Sequence, residues 1–186
     1  MLEKTLIIVK PHAVTRGLVG KILQRFEDMD LKFMELKIIK GSQELWESFY
    51  PSNERWLENV GNKILENYKT NNLDVNGKFG TSDPISIGRI VKSWLVKHMS
   101  SSNSVAVIFK GNEVLNKARI ACGDTLPNLA APGTIRFDFS SDSPIVASDE
   151  QRPVFNLIHV SNPEEMRDGQ RAVDYEISIL FPELGG

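Results

Sequence analysis

The residue of this chain best suited to chemistry near neutral pH is a histidine at the end of an apolar run. His159 follows residues 154–158 and stands two positions before Ser161. An imidazole placed in this way can act as a nucleophile or carry a proton. Taken alone, the segment is more typical of a structural histidine in a half-buried position. Other residues must therefore decide between the two interpretations.

Three cationic residues form a second group that could bind a ligand. Lys10 follows the first apolar run, Arg119 lies near the end of a predicted helix, and Arg136 follows a loop. If the fold brings them together without paired acids, they suit a polyphosphate, although each alone is typical of a solvated surface. The chain has no glycine-rich phosphate loop. A phosphoryl enzyme without that loop needs charge neutralisation and an in-line nucleophile.

The composition limits the possible partners and the compartment. The 186 residues, 41% of them hydrophobic and 25% charged, predict one globular domain with a sizeable core. A net charge of −2 argues against nucleic acids and anionic membranes as partners. Cys122 is the single cysteine, which excludes a disulfide framework or a zinc ribbon within one chain. Its small neighbours indicate a buried thiol in a reducing compartment.

Targeting and membrane signals are missing from the sequence. The apolar run at residues 5–9 is too short for the core of a signal peptide with its cleavage site, and Lys10-Pro11 ends it. Apolar runs elsewhere are shorter than a membrane span. We therefore expect a cytoplasmic protein with no membrane partner.

Short apolar runs, one alternating segment and helical periodicity predict a mixed fold. Residues 5–9, 31–39, 105–109 and 154–160 have the pattern of strands, and 17–29 and 112–121 have that of helices. The order strand, helix, strand occurs twice. This is the ferredoxin-like βαββαβ arrangement, an α+β sandwich in which helices cover the faces of a four-stranded antiparallel sheet.

Further elements lie between these repeats. Ser42 is a predicted N-cap for a short helix through Tyr50, a second helix begins at residues 51–53, and a third begins at Asp83-Pro84. Three segments have the composition of loops or turns: 70–82, 124–133 and 140–152. The sequence Asn162-Pro163-Glu164-Glu165 predicts the start of the last helix, which Gly169 interrupts.

Five motifs, in order, resemble those of the nucleoside diphosphate kinases. They are KPHAV (10–14) with RGLVG (16–20), LVKHM (95–99), GDT (123–125), PGTIR (132–136) and NLIHVS (156–161). The resemblance spans nearly the whole chain. It implies a single kinase-like domain over residues 1–186, with an insertion at about 51–88 similar to that of some archaeal members. We expect the insertion to cover the nucleotide site or to extend an interface.

The resemblance implies a nucleoside diphosphate kinase that maintains nucleoside triphosphate and deoxynucleoside triphosphate pools. His159 would attack the γ-phosphorus of ATP or another triphosphate, and the phosphohistidine would then pass the phosphoryl group to a diphosphate in a ping-pong exchange. Mg²⁺ would ride mainly on the nucleotide phosphates, with no metal site made by the protein. The partners would be nucleoside di- and triphosphates and further copies of the chain, in a hexamer or a tetramer.

The resemblance also assigns roles to individual residues. In the catalytic group, Lys10 would hold the transferring phosphate, while the remaining members would orient or support the histidine: Tyr50, Ser161 and Glu176. Glu176 would accept a hydrogen bond from the second imidazole nitrogen and so fix the tautomer. The nucleotide-binding group adds residues that grip the diphosphate, the sugar and the base: Arg119, Thr125, Arg136, Asn156 and Val91. Val91 occupies the place of an aromatic that stacks on the base.

Several residues depart from the family pattern. His12 replaces an aspartate, and we interpret it as structural. Val160 replaces a small residue beside His159 and is expected to crowd the pocket. Other departures are Phe137 in place of glycine, Asn162-Pro163 in place of Asp-Ser, and a longer separation between His159 and Glu176.

Two alternatives to the kinase use the same fold. One is a nucleotide-binding regulatory module that has lost turnover. The other is a ferredoxin-like interaction domain, of which an RNA binder is one case. The strands lack the paired aromatics of an RNA-recognition sheet, so we expect no nucleic-acid partner. A protein that only binds needs no nucleophile, and the retention of His159 beside its cations therefore favours the kinase.

Overall fold

An apolar strand near the N-terminus is a central strand of the sheet. The computed structural model describes residues 2–162, 164–167 and 169–184. Strand β1 (Leu2–Val9) pairs with β3 (Ser104–Asn112) and with β4 (Ile158–Val160), and β2 (Lys32–Ile39) lies at the edge beside β3. The order is β2-β3-β1-β4, and every pair is antiparallel. The predicted ferredoxin-like α+β sheet is confirmed.

Both faces of the central strands are covered. Ile7 and Val9 belong to the main hydrophobic core, and the alternate residues Leu6 and Ile8 are also fully buried. Such strands have continuous apolar sequences because neither face meets water. The helices that contribute side chains to this core are α1 (Pro11–Thr15), α2 (Val19–Glu27), α7 (Val114–Cys122) and α8 (Ile135–Phe139).

Contacts divide the chain into two compact units. The first contains the four-stranded sheet and comprises Met1–Lys40, Ser102–Ser141 and Asn156–Gly186. The second comprises Gly41–Ser101 and Asp142–Phe155. Its helices are α3 (Gln43–Phe49), α4 (Glu54–Thr70), α5 (Val75–Phe79), α6 (Pro84–Ser101) and α9 (Pro144–Asp149). The described helices of the whole chain include none long and apolar enough to cross a membrane.

The predicted helix starts of the second unit are confirmed by their caps. Ser42, Asn53 and Asp83 each accept a hydrogen bond from a backbone N–H three residues ahead. Within the unit, α4 and α6 approach closely at two glycines. A Cβ atom on Gly61 would lie 1.9 Å from the carbonyl oxygen of Pro84, and one on Gly88 would lie 2.2 Å from that of Leu57. Glycine is therefore required at both helix contacts.

Two segments predicted as loops contain helices. The segment 70–82 includes α5, and the segment 140–152 includes α9. The α9 helix begins at Pro144 after Ser143, which accepts a hydrogen bond from the backbone N–H of Val146. The polar composition of the segment favoured a loop prediction, although Ser143-Pro144 is also a typical helix start. The loop predicted at 124–133 is largely confirmed, with one 3₁₀ turn at Pro127–Leu129.

The C-terminal predictions were partly wrong. Strand β4 has three residues, whereas 154–160 was predicted, because Leu157 adopts φ +69°, outside the extended region. The last helix, α10, spans Ala172–Leu180 and does not begin after Asn162. A hairpin of β5 (Met166–Arg167) and β6 (Gln170–Arg171) precedes it. Pro163, part of the predicted helix start, lies outside the described residues.

The turn of this hairpin explains the error. Gly169 has φ +79°, a conformation that suits glycine and ends helical geometry. Its sequence context, Asp168-Gly169, is a favoured dipeptide of two-residue hairpin turns. The proline and acids of the preceding segment resembled a helix start, but the chain forms the hairpin that the Asp-Gly dipeptide favours.

Candidate active site

The imidazole of His159 lies on the side of β4 away from the main core. Ile158 and Val160 point into the core, and His159 between them is half-buried. Side chains alternate along a strand, so this register places the ring on the opposite face. Its Nε2 lies 3.0 Å from Oε2 of Glu176 on α10. The strand thus presents the histidine, and the helix supplies its carboxylate partner.

The carboxylate of Glu176 is buried and strongly engaged. Ser161 Oγ donates a hydrogen bond to Oε2 at 2.6 Å, and Arg167 Nη2 lies 3.5 Å from Oε1. Burial by itself would raise the pKa of Glu176, but attraction to His159, the hydrogen bonds from His159 and Ser161, and the charge of Arg167 lower it. The ionised carboxylate has no proton to give. Nε2 of His159 therefore carries the hydrogen, which puts the ring's lone pair on Nδ1.

Lys10 and Asn156 form the second part of the site. Lys10 follows β1 and is buried, and its Nζ donates to Asn156 Oδ1 at 2.7 Å. The amide nitrogen of Asn156 donates to the Thr125 carbonyl at 3.0 Å, so both ends of this side chain are held. Burial, followed by repulsion from Arg136, lowers the pKa of Lys10 to about 7. The pair offers a cation whose charge responds to a nearby anion.

Arg136 joins three pieces of backbone. Its Nε, Nη1 and Nη2 donate to the carbonyl oxygens of Asn156, Gly123 and Ile158 at 3.2, 2.8 and 3.0 Å. Burial lowers its pKa, although a guanidinium stays charged at any physiological pH. These contacts give Arg136 a structural task, which the sequence did not indicate. Its positive charge also remains beside Lys10 and can attract phosphate.

The backbone next to the histidine is held in an uncommon conformation. Leu157 has a positive φ and is fully buried. Its carbonyl accepts from the Lys10 N–H at 2.9 Å, and its own N–H donates to Nε2 of His12 at 3.0 Å. Because Nε2 accepts this bond, His12 is neutral on that nitrogen. This contact agrees with the structural interpretation of His12.

Comparison with known proteins assigns the chain to a family. The family model described as nucleoside diphosphate kinase matches residues 3–59 and 89–184. A nucleoside diphosphate kinase of Pyrobaculum aerophilum is 50% identical over 181 residues, which are 97% of this chain and 96% of the relative. The chain belongs to the nucleoside diphosphate kinase family. Residues 60–88 lie between the two matched parts of the family model.

Solved structures of other nucleoside diphosphate kinases have the same fold. The chain resembles the crystal structure of an NDP kinase from Pyrobaculum aerophilum with a TM-score of 0.88 and 45% identity, over 97% of this chain and 96% of that one. It resembles a Borrelia burgdorferi nucleoside-diphosphate kinase with bound vanadate and ADP, a mimic of the transition state, with a TM-score of 0.69 and 30% identity. That alignment covers 97% of this chain and 87% of the other.

The remaining residues expected from the nucleoside diphosphate kinase pattern have different surroundings. Arg119 is exposed on α7, and Thr125 is exposed in the following loop. Tyr50 and Val91 belong to the second unit. Tyr50 is buried at the end of α3, where its ring packs against Trp56, and Val91 packs on an apolar cluster within that unit. Their roles toward nucleotide stay predictions.

Two departures from the nucleoside diphosphate kinase pattern have clear positions. Val160 packs in the core on the opposite face of β4 from His159, so the expected crowding of the imidazole was wrong. Phe137 is exposed on α8. The buried thiol of Cys122 is confirmed, and burial raises its pKa to about 11. This shift keeps the thiol protonated and unreactive.

Sequence reasoning missed Arg167, which lies on the hairpin and pairs with the carboxylate of Glu176. A signal was present, because the long interval between His159 and Glu176 carries the turn dipeptide Asp168-Gly169 next to this arginine. Among the described residues, no group of three or more His, Cys, Asp or Glu side chains is placed to hold a metal ion. The buried cations Lys10 and Arg136 are suited to anions.

Proposed function

We propose that this chain transfers the γ-phosphoryl group of a nucleoside triphosphate to a nucleoside diphosphate through a phosphohistidine at His159. The observation that carries this proposal is the contact between Nε2 of His159 and the buried carboxylate of Glu176. It leaves the ring's nucleophilic lone pair on Nδ1, as a phosphoryl acceptor requires. The names of the family and of the relatives support the same reaction.

The reaction proceeds in two matched steps. Nδ1 of His159 attacks the γ-phosphorus, an N–P bond forms, and the bond to the β,γ-bridging oxygen breaks, which releases the diphosphate. The ring then carries a positive charge, which the carboxylate of Glu176 stabilises through the Nε2–H. A terminal oxygen of a second diphosphate attacks the same phosphorus and breaks the N–P bond. No proton has to leave the ring in either step.

Lys10 and Asn156 are the proposed phosphate and sugar contacts. Lys10 is charged when an anion is near, because a phosphate raises its depressed pKa. It would neutralise charge on the transferring group, which stabilises the transition state. Asn156 would use the second N–H or the second oxygen lone pair of its amide to bind a sugar hydroxyl or a bridging oxygen. Arg119, Thr125 and Arg136 would complete the grip on the diphosphate.

Magnesium is proposed to arrive with the nucleotide. Mg²⁺ prefers several oxygen ligands and is commonly bound through substrate phosphates. Among described side chains near His159, the buried carboxylate of Glu176 is already occupied by His159, Ser161 and Arg167. The ion would therefore supply charge neutralisation as part of the Mg²⁺–nucleotide substrate, and protein side chains would bind the phosphates around it.

Self-association is proposed from the exposed edge of the sheet. Strand β2 is exposed along most of its length, and Leu36 and Ile38 have 51% and 66% of their surface exposed. An apolar edge strand favours pairing with another chain. We propose that β2 forms an interface within a hexamer or a tetramer. Sedimentation equilibrium of the wild type and of Ile38→Lys tests this, and a monomeric wild type would contradict it.

A cytoplasmic location is also proposed. The buried reduced form of Cys122 and the use of cellular nucleotides as substrates support a reducing, nucleotide-rich compartment. Fractionation of cells that express the chain would check it.

Trapping the phosphoenzyme tests the proposed reaction. Purified protein is incubated with Mg²⁺ and γ-labelled ATP, together with His159→Ala and the control His98→Ala, which changes a half-buried histidine of the second unit. The wild type and His98→Ala are expected to take up acid-labile, alkali-stable label that GDP discharges, and His159→Ala is expected to stay blank. Saturable ATP binding without label in the wild type would instead support a regulatory module.

A further inference from the structure

The guanidinium of Arg167 is buried between two carboxylates on the far side of the His159 contact. Its Nε donates to Oε1 of Glu165 at 2.9 Å, and its Nη2 lies 3.5 Å from Oε1 of Glu176. Only 8% of the side-chain surface is exposed, and the guanidinium carbon lies 5.6 Å from the centre of the Tyr175 ring. Such a buried arginine is costly unless its charge is used by its partners.

The two oxygens of Glu176 are used differently. Oε2 receives the hydrogen bonds from His159 and Ser161, while Oε1 faces Arg167. A carboxylate can rotate about its terminal bond, and a contact on one oxygen limits where the other points. Arg167 and Ser161 therefore approach the carboxylate from two sides and leave Oε2 directed at the imidazole.

We propose that Arg167 is a positioning residue for phosphoryl transfer, which holds Glu176 ionised and directed at Nε2 of His159. The inference rests on the proposed function, since it assigns a task within that reaction. Arg167 lies on β5, in the hairpin that fills the long interval between the histidine and the glutamate. The interval that departs from the family pattern thus carries the residue that holds Glu176 in place.

Charge predicts the direction of the effect on pH dependence. The charged groups that face Glu176 are His159 on β4, when protonated, and Arg167 on β5, and Glu165 faces Arg167 in turn. Loss of the arginine removes a positive charge that lowers the pKa of Glu176, so the pKa of this carboxyl rises. The Glu176 carboxylate is then protonated at a higher pH. The acidic limb of the pH–rate profile therefore moves upward.

The test measures phosphoenzyme formation by rapid quench over a range of pH. Arg167→Met is compared with Arg171→Met, which removes an arginine of the same hairpin that pairs with Asp174 and is 51% exposed. We expect Arg167→Met to move the acidic limb upward by about one pH unit and to lower the rate at neutral pH. Arg171→Met should match the wild type, and Arg167→Lys should restore most of the pH profile because it keeps the charge. A profile unchanged in Arg167→Met would overturn the inference.

A second measurement separates this inference from the proposed function and from misfolding. The carboxyl carbon of Glu176 is titrated by NMR in the nucleotide-free protein and assigned with Glu176→Gln. Its midpoint is expected to rise in Arg167→Met and to stay in place in Arg171→Met. A midpoint unchanged in folded Arg167→Met would refute the role of Arg167 even if phosphorylation is normal. A wild type that takes up no label would refute the kinase, while this titration would still decide the role of Arg167.

Discussion

Glu176 Oε2 lies 3.0 Å from His159 Nε2 although 17 positions of sequence separate the two residues. His159 lies on β4 and Glu176 lies on α10, and the β5–β6 hairpin occupies part of the chain between them. A buried carboxylate beside one ring nitrogen holds the hydrogen there and leaves the lone pair on the other nitrogen. The length of the interval therefore does not weaken the site.

Replacement of Glu176 by glutamine tests this contact. Glu176→Gln keeps the size of the side chain but removes the charge that stabilises the phosphorylated ring, so phosphoenzyme formation is expected to slow by about 10²-fold or more. Stopped-flow or quench measurements give the rate. Glu183→Gln serves as the matched control, because Glu183 is exposed and pairs with Lys37. Equal rates in both variants would remove Glu176 from the mechanism.

Proton uptake tests the state of Lys10. Its pKa is about 7 in the free protein, so the side chain is largely neutral at pH 8. Bound phosphates favour the charged form, so ADP binding at pH 8 should take up a proton, and affinity should fall as the pH rises above about 7. Calorimetry in buffers of different ionisation enthalpy measures the uptake.

Lys10→Arg provides the control for this measurement. Arginine is charged at every pH of the experiment, so its complex should form without taking up a proton at position 10. Equal proton uptake in the wild type and the variant would show that another group is responsible.

The hydrogen bond from Leu157 to His12 predicts a rescue. His12→Ala leaves a buried backbone N–H without its acceptor, which costs about 1–3 kcal/mol, and loosens the peptide next to Asn156. We expect a lower melting temperature and a higher KM for nucleotide. His12→Asp offers a new acceptor and should recover both. Steady-state kinetics and thermal melts check this, and a KM unchanged in His12→Ala would limit His12 to stability.

The three carbonyl contacts of Arg136 predict a large loss of stability. Arg136→Met leaves the carbonyls of Gly123, Asn156 and Ile158 without these donors, and each hydrogen bond to a charged group contributes about 1.5–3 kcal/mol. Urea unfolding should show a loss of at least about 3 kcal/mol. Arg119→Met, on the exposed side of α7, should change the free energy of unfolding little. Equal stability of the two variants would contradict the structural task of Arg136.

Close packing of α4 against α6 predicts that Gly61 tolerates no side chain. A Cβ there would overlap the Pro84 carbonyl, so Gly61→Ala should destabilise the protein by about 1–3 kcal/mol. Gly20→Ala is the control, because Gly20 lies in α2 with open space around its Cβ direction and alanine favours helices. Thermal denaturation compares the two. A melting temperature unchanged in Gly61→Ala would show that the helices can separate there.

Local patterns predicted much of the fold and part of the candidate site. The sheet strands, the caps at Ser42, Asn53 and Asp83, and the buried Cys122 follow from short stretches of sequence whose side chains meet their neighbours directly. Motif resemblance named His159 and Glu176 as partners. The predicted helix after Asn162 was wrong because the same polar residues occur at helix starts and before turns. The positive φ of Gly169 belongs to the hairpin turn that the structure has instead.

The sequence by itself determined which residues are available for phosphoryl chemistry: a histidine in an apolar run, cations without paired acids, and the motif order of the family. Tertiary structure alone decided what each residue does. Arg136 donates hydrogen bonds to three carbonyls, and Arg167 contacts Glu176 from a hairpin. Burial of Lys10 lowers its pKa from the ordinary value to about 7. The physical reason is that hydrogen bonding, desolvation and charge depend on distances between segments that are far apart in the chain, and these distances exist only after folding.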